Sequence, residues 1–466
     1  MDLFRKKEIS SSLESESQLN RCLTAVDLIF FGVGAVIGAG IFILTGVVAA
    51  TKAGPAIVFS YVLAGGASIF SALSYAELAA MIGGCGSAYG YAYAGFGELI
   101  AWVVGWDLLL EYAISVSAVS VGWGGYANDF LMAIKIHLSP LFLQGPAYGG
   151  IVNLPPVFII ACLTALLIAG AKSSSRMNNL IVTIKLLVIL LFILIAIKEV
   201  RVENWSPFLP FGWVGVIDGA SLIFFAYIGF DAVSTAAEEA INPQRDMPRG
   251  IIGSLVICTV LYIIVAGLLT GIAPYSSLNV ASPISHALLH LGYKAAAGLI
   301  SVGAIAGLTT VMLVLFYGLT RVILAMSRDG LLPKNIARTT ENQRTPARII
   351  LLCGFLMAIL AAFVPIDVLA ELVNIGTLFA FIIVCIGVLY LQYKHPELER
   401  PFRTPGMPYV PLLGIFSCLY LVIHLPWVTL VRFIVWMAIG LLIYFIYSYK
   451  NSVLAKKSSV EHKLIP

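Results

Sequence analysis

Twelve stretches of mainly apolar residues, each long enough to cross a lipid bilayer as a helix, follow one another along this 466-residue chain. A transmembrane helix needs about 17 to 25 such residues to span a hydrocarbon core of about 30 Å. Because 60% of the residues are apolar and only 11% are charged, the composition excludes a soluble fold. We therefore predict an all-α polytopic membrane protein with twelve transmembrane helices. The predicted spans are 26–50, 55–80, 97–126, 154–170, 177–197, 213–239, 250–272, 295–325, 347–364, 368–391, 408–425 and 430–449.

Lysine and arginine are distributed unevenly between the two sets of alternating loops. The loops on the side of the termini carry 20 of them, whereas those on the opposite side carry six. By the positive-inside rule, both termini are predicted to be cytoplasmic. The same asymmetry accounts for the net charge of +4, so no nucleic-acid partner is expected. We divide the chain into a cytoplasmic segment (1–24), a transmembrane domain (25–450) and a cytoplasmic tail (451–466) of a cell-membrane protein.

The residues that most often carry catalysis or disulfides form no recognisable pattern here. The six histidines fall mostly in loops and chain ends, and no GxSxG, HExxH or Walker motif occurs. An enzyme, a primary pump, a metal site and a bound cofactor are therefore not expected. The seven cysteines are scattered, and the outer loop at about 127–153 has none, so no disulfide-linked heavy chain is expected.

The segment GGCGSAYGYAYAGFG at 83–97 is rich in glycine and tyrosine and has no lysine or arginine. We predict that it lies along the inner membrane interface. Tyr89, Tyr91 and Tyr93 would then occupy the depth where aromatic rings face both lipid and water.

The first apolar stretch is interrupted by the run GVGAVIGAGIF. Gly34 and Gly38 form a GxxxG pair, which close helix packing alone explains in many membrane proteins. The run also contains Gly32 and Gly40, and each glycine destabilises a helix by roughly 0.8 to 1 kcal/mol relative to alanine. We therefore predict that the helix unwinds near Ile37–Ala39.

The sixth stretch is interrupted in the corresponding half of the sequence, where Gly229 and Asp231 follow the aromatic run FFAYIGF. These aromatics fit an ordinary core, but opposite a broken first span they favour a backbone acceptor site at Phe225, Ala226 and Ile228. Unwound backbone is tolerated at membrane depth only where it is buried in protein or lines a cavity. Paired interruptions point to the substrate site of a carrier. Free amides at a helix start attract a carboxylate and free carbonyls accept an ammonium, so an amino acid fits both breaks.

The chain resembles the amino acid, polyamine and organocation transporters, and among them the bacterial relatives of cationic amino acid transporters. The resemblance implies a LeuT-like fold with broken helices 1 and 6. Two inverted repeats of five spans (about 25–200 and 210–392) would be followed by two extra helices (about 408–449). The motifs that carry it are GVGAVIGAGIFILTG at 32–46, FFAYIGFDAVSTAAEEAINPQRDMPRGI at 224–251, GAIAGLTT at 303–310, YGLTRVILAMSRDGLLP at 317–333 and ELVNIGTLFAF at 371–381.

The same resemblance assigns roles at the two interruptions. The substrate carboxylate would meet the amides of Gly38, Ala39 and Gly40, and Phe225 would form an outer gate. The substrate-binding set implied by the breaks and the resemblance is Val36, Ile37, Gly38, Ala39, Gly40, Phe225, Ala226, Ile228 and Leu315, with the carbonyls of Val36, Phe225, Ala226 and Ile228 receiving the amino group.

Lys185 lies about eight residues into the apolar fifth span, where a charge is rare and costly. A lysine snorkelling to the cytoplasmic interface is one interpretation. The other is a proton carrier, because an amine in apolar surroundings can release its proton. The resemblance agrees, since related proton-coupled carriers place a lysine here where sodium-coupled ones hold a sodium ion. The ammonium would brace the first and eighth spans while it is protonated.

Buried acids form a second group of candidates. Glu111 and Asp107 are four residues apart in the third span and would share one face of a helix. Either acid can pair with a donor in the bundle, or Glu111 can take part in a proton path. At the end of the sixth span, Glu238 and Glu239 stand next to Asn242, Arg245, Asp246 and Arg249. This set is predicted to form the salt-bridge network of an inner gate rather than a metal site.

The sequence says less about the residues that would surround the side chain of the substrate. Thr309 and Leu315 of the eighth span are small or apolar, and no carboxylate is placed to receive a cationic side chain. We therefore predict proton-coupled symport of small neutral L-amino acids such as alanine, with protons and membrane lipids as the other partners. A sodium-coupled symporter, an exchanger that includes cationic amino acids, and a transport-dead sensor are the alternatives. Substrate range and oligomeric state are left open.

Overall fold

The computed structural model describes residues 5, 23–82, 87–133, 135–136, 138–169, 175–333, 335 and 346–456. Within these ranges the chain is helical, with one isolated bridge between Leu23 and Ala240 and no strand. The α-helices are α1 Ala25–Val36, α2 Thr45–Val48, α3 Ile57–Ile82, α4 Ser87–Gly95, α5 Glu98–Ala133, α6 Leu154–Ile168, α7 Ser175–Glu199, α8 Gly212–Ile223, α9 Pro243–Ile272, α10 Pro283–His290, α11 Lys294–Arg328, α12 Ala347–Phe363, α13 Ile366–Lys394, α14 Tyr409–Ile423, α15 Trp427–Ile443 and α16 Tyr449–Asn451.

Eight helical segments of the described chain are long and apolar enough to cross a membrane. Four shorter apolar helices, α1, α6, α12 and α14, have 12 to 17 residues and fall within other predicted spans. The first is short because the helix breaks after Val36. An all-helical membrane protein is therefore confirmed, whereas the count of twelve spans stays a prediction.

Long helices from the two halves of the chain form the centre of the bundle. α5 packs against α11, and α3 packs against α9. α1 lies against α7, α9 and α11, and it begins with a capping box in which Thr24 and Asp27 bond to each other's backbone amides. α14 and α15 lie outside this core, against α3 and α13. The first segment and its break are thus enclosed by other helices.

The tyrosines of α4 are buried, which corrects the prediction that they face the membrane interface. Tyr89, Tyr91 and Tyr93 are each at most 3% exposed. Their helix packs on α5 and α13, and the Tyr89 hydroxyl donates a 2.7 Å hydrogen bond to Asp329. The composition of the segment suggests a position at the membrane interface. A tyrosine can also be buried inside the protein when its hydroxyl has a polar partner there.

Candidate functional site

The backbone leaves the helical conformation where the glycine run predicts it. α1 ends at Val36, Ile37 is extended (φ −73°, ψ 98°), and a π-helix begins at Gly40. Within the described residues, the amides of Gly38, Ala39 and Gly40 donate no hydrogen bond to the backbone. Buried amides are normally paired, so these three donors at the start of a helix form a ready anion site.

A second break interrupts the sixth span. α8 ends at Ile223, and a 3-10 turn, Phe224–Tyr227, leads to Ile228, which is extended (φ −64°, ψ 137°). Gly229 then adopts φ +115°, a conformation that side chains rarely tolerate. The chain continues as a 3-10 helix, Asp231–Glu239. Both interruptions predicted from the sequence are therefore present.

The two breaks touch each other through their glycines. A Cβ atom on Gly40 would lie 2.3 Å from the Cα of Ala226, and one on Gly229 would lie 2.9 Å from the carbonyl oxygen of Ala35. Both neighbouring atoms belong to backbone, which cannot rotate away as a side chain can. Glycine is required at both positions because each backbone passes directly over the other.

Tyr262 of α9 joins the two breaks with one hydroxyl group. Its oxygen lies 2.8 Å from the carbonyl of Val36 and 2.9 Å from that of Ala226. Both carbonyls belong to the acceptor set predicted for an ammonium group. The sequence reasoning missed this residue, because a single tyrosine in an apolar span is typical of an ordinary core position.

Two further residues at the breaks were also missed. The Asn374 side chain of α13 donates hydrogen bonds of 2.8 and 3.2 Å to the carbonyls of Ser221 and Leu222, which the interruption of α8 would leave unpaired. Val311 of α11 contacts the first break, since a Cβ on Gly38 would lie 3.3 Å from its Cγ2. Asn374 lies within the motif ELVNIGTLFAF, and that was the only local signal.

Lys185 is completely buried, and its Nζ reaches the first break from α7. It donates hydrogen bonds of 3.0 Å to the carbonyl of Gly34 and 2.7 Å to that of Ile37. On its other side the lysine stem contacts α11, since a Cβ on Gly307 would lie 2.8 Å from its Cε. The side chain therefore connects α7 with α1 and α11, the helices of the predicted first and eighth spans.

Asp107 and Glu111 of α5 lie side by side in the bundle with no basic partner among the described residues. Both are at most 1% exposed, and both oxygens of Asp107 and Oε1 of Glu111 lack a hydrogen-bond partner there. A third acid, Asp231 at the second break, accepts a 2.9 Å bond from the Tyr112 hydroxyl. The prediction that α5 places two acids on one buried face agrees with this arrangement.

The remaining predicted residues have four different outcomes. Phe225 and Leu315 are buried, at 7% and 2% exposure, whereas Thr309 is bonded to the Trp123 side chain at 3.0 Å. Arg245 is exposed and lines a cavity at the start of α9. The side chain of Glu239, like that of Glu238, lies outside the described residues, so the predicted gate pair stays a prediction.

No group of three or more histidine, cysteine, aspartate or glutamate side chains in the described ranges could hold a metal ion. The cysteines described there, five in number, are free thiols. The polar groups described at the breaks include backbone amides, backbone carbonyls, and the side chains of Lys185, Tyr262, Asn374 and Asp231. Such a set can hold the two ends of a small zwitterion.

Comparison with known proteins gives a consistent result over nearly the whole chain. A model described as amino acid permease matches residues 23–449. A methylthioribose transporter of Bacillus subtilis (strain 168) is 49% identical over 97% of this chain and 99% of its own length. A branched-chain amino acid permease BcaP of the same organism is 48% identical over the same shares. A vacuolar cationic amino acid transporter 4 of Arabidopsis thaliana is 38% identical over 85% of this chain and 68% of its own length.

Proposed function

We propose that this chain, which belongs to the amino acid permease family, is a proton-coupled symporter of neutral L-amino acids. Family membership makes it a transporter and not an enzyme, as the sequence predicts. The proposal rests on one observation above all. Two helix breaks are in direct contact inside the bundle, one with unpaired amides and one whose Ala226 carbonyl lies within hydrogen-bond distance of the Tyr262 hydroxyl.

The charges of an amino acid match these two breaks. Its carboxylate would accept hydrogen bonds from the amides of Gly38, Ala39 and Gly40, at the positive end of the following helix. Its ammonium would donate to the carbonyls of Val36 and Ala226, and also to those of Phe225 and Ile228 in the predicted set. The Tyr262 hydroxyl holds two of these acceptors in place.

We further infer that the chain contains two inverted repeats, about 25–200 and 210–392. Each half has a short helix between its first two long helices, α4 between α3 and α5 in the first half and α10 between α9 and α11 in the second. The helices that would be equivalent, α3 with α9 and α5 with α11, pack against each other in the centre. Such pairing is expected when a pseudo-two-fold axis passes between them.

Lys185 is the proposed proton carrier, and Glu111 is proposed to contribute to the proton path. The protonated amine donates to the carbonyls of Gly34 and Ile37 at the end of α1. Loss of its proton would remove a charge-assisted interaction at the first break, so that α1 could move relative to α7 and α11. Phe225, Glu239 and Arg245 keep their proposed gating roles.

The substrates proposed are small neutral amino acids such as alanine, with a range that extends to branched-chain ones. The side chains that contact the breaks, Val311 and Ala226, are apolar, which suits an uncharged substrate side chain. A relative at 48% identity is named a branched-chain amino acid permease. Methylthioribose transport is the second candidate, because an equally similar relative carries that name.

The experiment that tests this function is uptake into proteoliposomes under an inward proton gradient without sodium. Labelled alanine, valine, arginine and methylthioribose are compared at equal concentration. We expect gradient-driven uptake of alanine and valine, with arginine and methylthioribose at background. Uptake of methylthioribose alone would replace the substrate proposal with the second candidate. Uptake that begins only when sodium is added would favour the sodium-coupled alternative.

Removal of the Tyr262 hydroxyl tests the geometry of the binding site. In the Tyr262→Phe variant, the one hydroxyl donor that the carbonyls of Val36 and Ala226 share is lost. A net contribution of about 1 kcal/mol corresponds to a rise in KM for alanine of about fivefold. Tyr420→Phe, on an exposed face of α14, should leave KM unchanged. An unaltered KM in Tyr262→Phe would show that this hydroxyl does not organise the site.

A further inference from the structure

A cavity of about 570 Å³ lies at the start of α9, and Arg245, which has a proposed gating role, is one of the residues that line it. Its wall on one side is the first turns of α9, and its wall on the other is the segment Pro401–Phe402. Among the side chains that line it, Arg245 and Arg249 are cationic and none is acidic. Such a cavity favours an anion.

The two arginines stand one helical turn apart, so both guanidinium groups can reach one ligand. Both side chains are exposed, and within the described residues neither forms a salt bridge. Guanidinium groups bind phosphate through paired hydrogen bonds more specifically than lysine does. The charge and the geometry therefore fit a phosphate group.

The cavity continues into an apolar face of α9 that points out of the protein. Below Arg249, the lining residue Ile252 is followed at helical spacing by Val256, Val260 and Ile264, which are 45%, 52% and 39% exposed. In a membrane protein such a row faces lipid tails. A phosphate bound by the two arginines would therefore lie at one end of this apolar row, along which the acyl chains of a lipid can extend.

The loop that closes the cavity is fixed in place by a buried ion pair. The Nε atom of Arg400, the residue before Pro401, lies 3.3 Å from Oε1 of Glu77 in α3. Both side chains are at most 4% exposed. The other oxygen of Glu77 accepts a 2.8 Å hydrogen bond from the amide of Thr404. Arg400 also donates to the carbonyls of four residues around the end of α13. The wall at Phe402 is therefore preformed.

From these features we infer that the protein binds the headgroup of an anionic phospholipid in this cavity, with Arg245 and Arg249 on the phosphate and the acyl chains along α9. Basic pockets between membrane helices recognise anionic headgroups in this way. The cavity is too small for a whole lipid, so it selects the headgroup while the chains stay in the bilayer.

Native mass spectrometry of the purified protein, titrated with phosphatidylglycerol or phosphatidylcholine, tests this inference. We expect preferential binding of phosphatidylglycerol. The double variant R245Q/R249Q should bind it about thirtyfold more weakly, since each arginine at an anionic surface contributes about fivefold. The control R201Q/R403Q makes the same change of net charge at exposed positions outside the cavity and should bind as the wild type does.

A second variant distinguishes lipid binding in the cavity from attraction of the lipid to positive surface charge in general. Ile252→Glu keeps both arginines but places a carboxylate in the lining, and it should also lose the preference for phosphatidylglycerol. If R245Q/R249Q fails to fold, Arg249→Gln alone should show about a fivefold loss. Equal binding of the two lipids, or unchanged binding in Ile252→Glu, would overturn the inference. Displacement of the lipid by an equal concentration of inorganic phosphate would instead indicate a site for free phosphate.

Discussion

Replacement of Lys185 by alanine should abolish the accumulation of alanine that an inward proton gradient drives. The amine is the basic group that reaches the first break in the described structure, through hydrogen bonds to the carbonyls of Gly34 and Ile37. A hydrogen bond to a charged group contributes about 1.5 to 3 kcal/mol, so the loss of one such bond already corresponds to more than a tenfold effect. Without a group at the first break that binds and releases a proton, the proton gradient cannot drive a movement of α1.

The measurement is uptake of labelled alanine into sodium-free proteoliposomes, together with counterflow exchange. We expect gradient-driven uptake in Lys185→Ala to fall at least tenfold, whereas exchange is retained because the breaks that bind the substrate are intact. Lys198→Ala is the matched control, since Lys198 is exposed near the end of the same helix. Full gradient-driven uptake by Lys185→Ala would refute the proposed coupling. A loss of exchange as well would assign the lysine a role in holding the site together.

Much of this site could be predicted from local sequence because backbone breaks have local causes. Four glycines within nine residues weaken the first helix wherever the chain places it, and the break after Val36 lies where they predict it. Lys185 was recognisable for a similar reason, since a charge deep in an apolar span always requires partners. Its partners were not recognisable from its neighbours in sequence, because they are carbonyls of another helix.

The residues that were missed act across the fold. Tyr262 and Asn374 are distant in sequence from the carbonyls they bind, at Val36, Ala226 and Ser221. Nothing next to either residue distinguishes it from a tyrosine or asparagine that packs elsewhere in the bundle. The tyrosines of α4 were misplaced for the same reason, because composition does not reveal that a distant acid, Asp329, accepts the Tyr89 hydroxyl. Pairings of this kind follow from the packing of helices and not from any one helix.

The contact between the two breaks predicts a graded series of glycine substitutions, with Gly40→Ala the most damaging. A Cβ at Gly40 would lie 2.3 Å from the Cα of Ala226, so the backbones of the two breaks must separate.

Overpacking of this kind costs about 1 to 3 kcal/mol, and we expect both a lower temperature of thermal unfolding and a loss of alanine uptake. Gly38→Ala meets only a side chain, that of Val311 at 3.3 Å, and no backbone atom, so it should be affected less. Gly66→Ala in α3 meets no atom within 4 Å, and since alanine favours a helix, it should transport normally and unfold no earlier than the wild type. Normal uptake and stability in Gly40→Ala would contradict direct contact between the breaks. The atom nearest to the added carbon is the Cα of Ala226, so the carbon can be accommodated only if backbone moves.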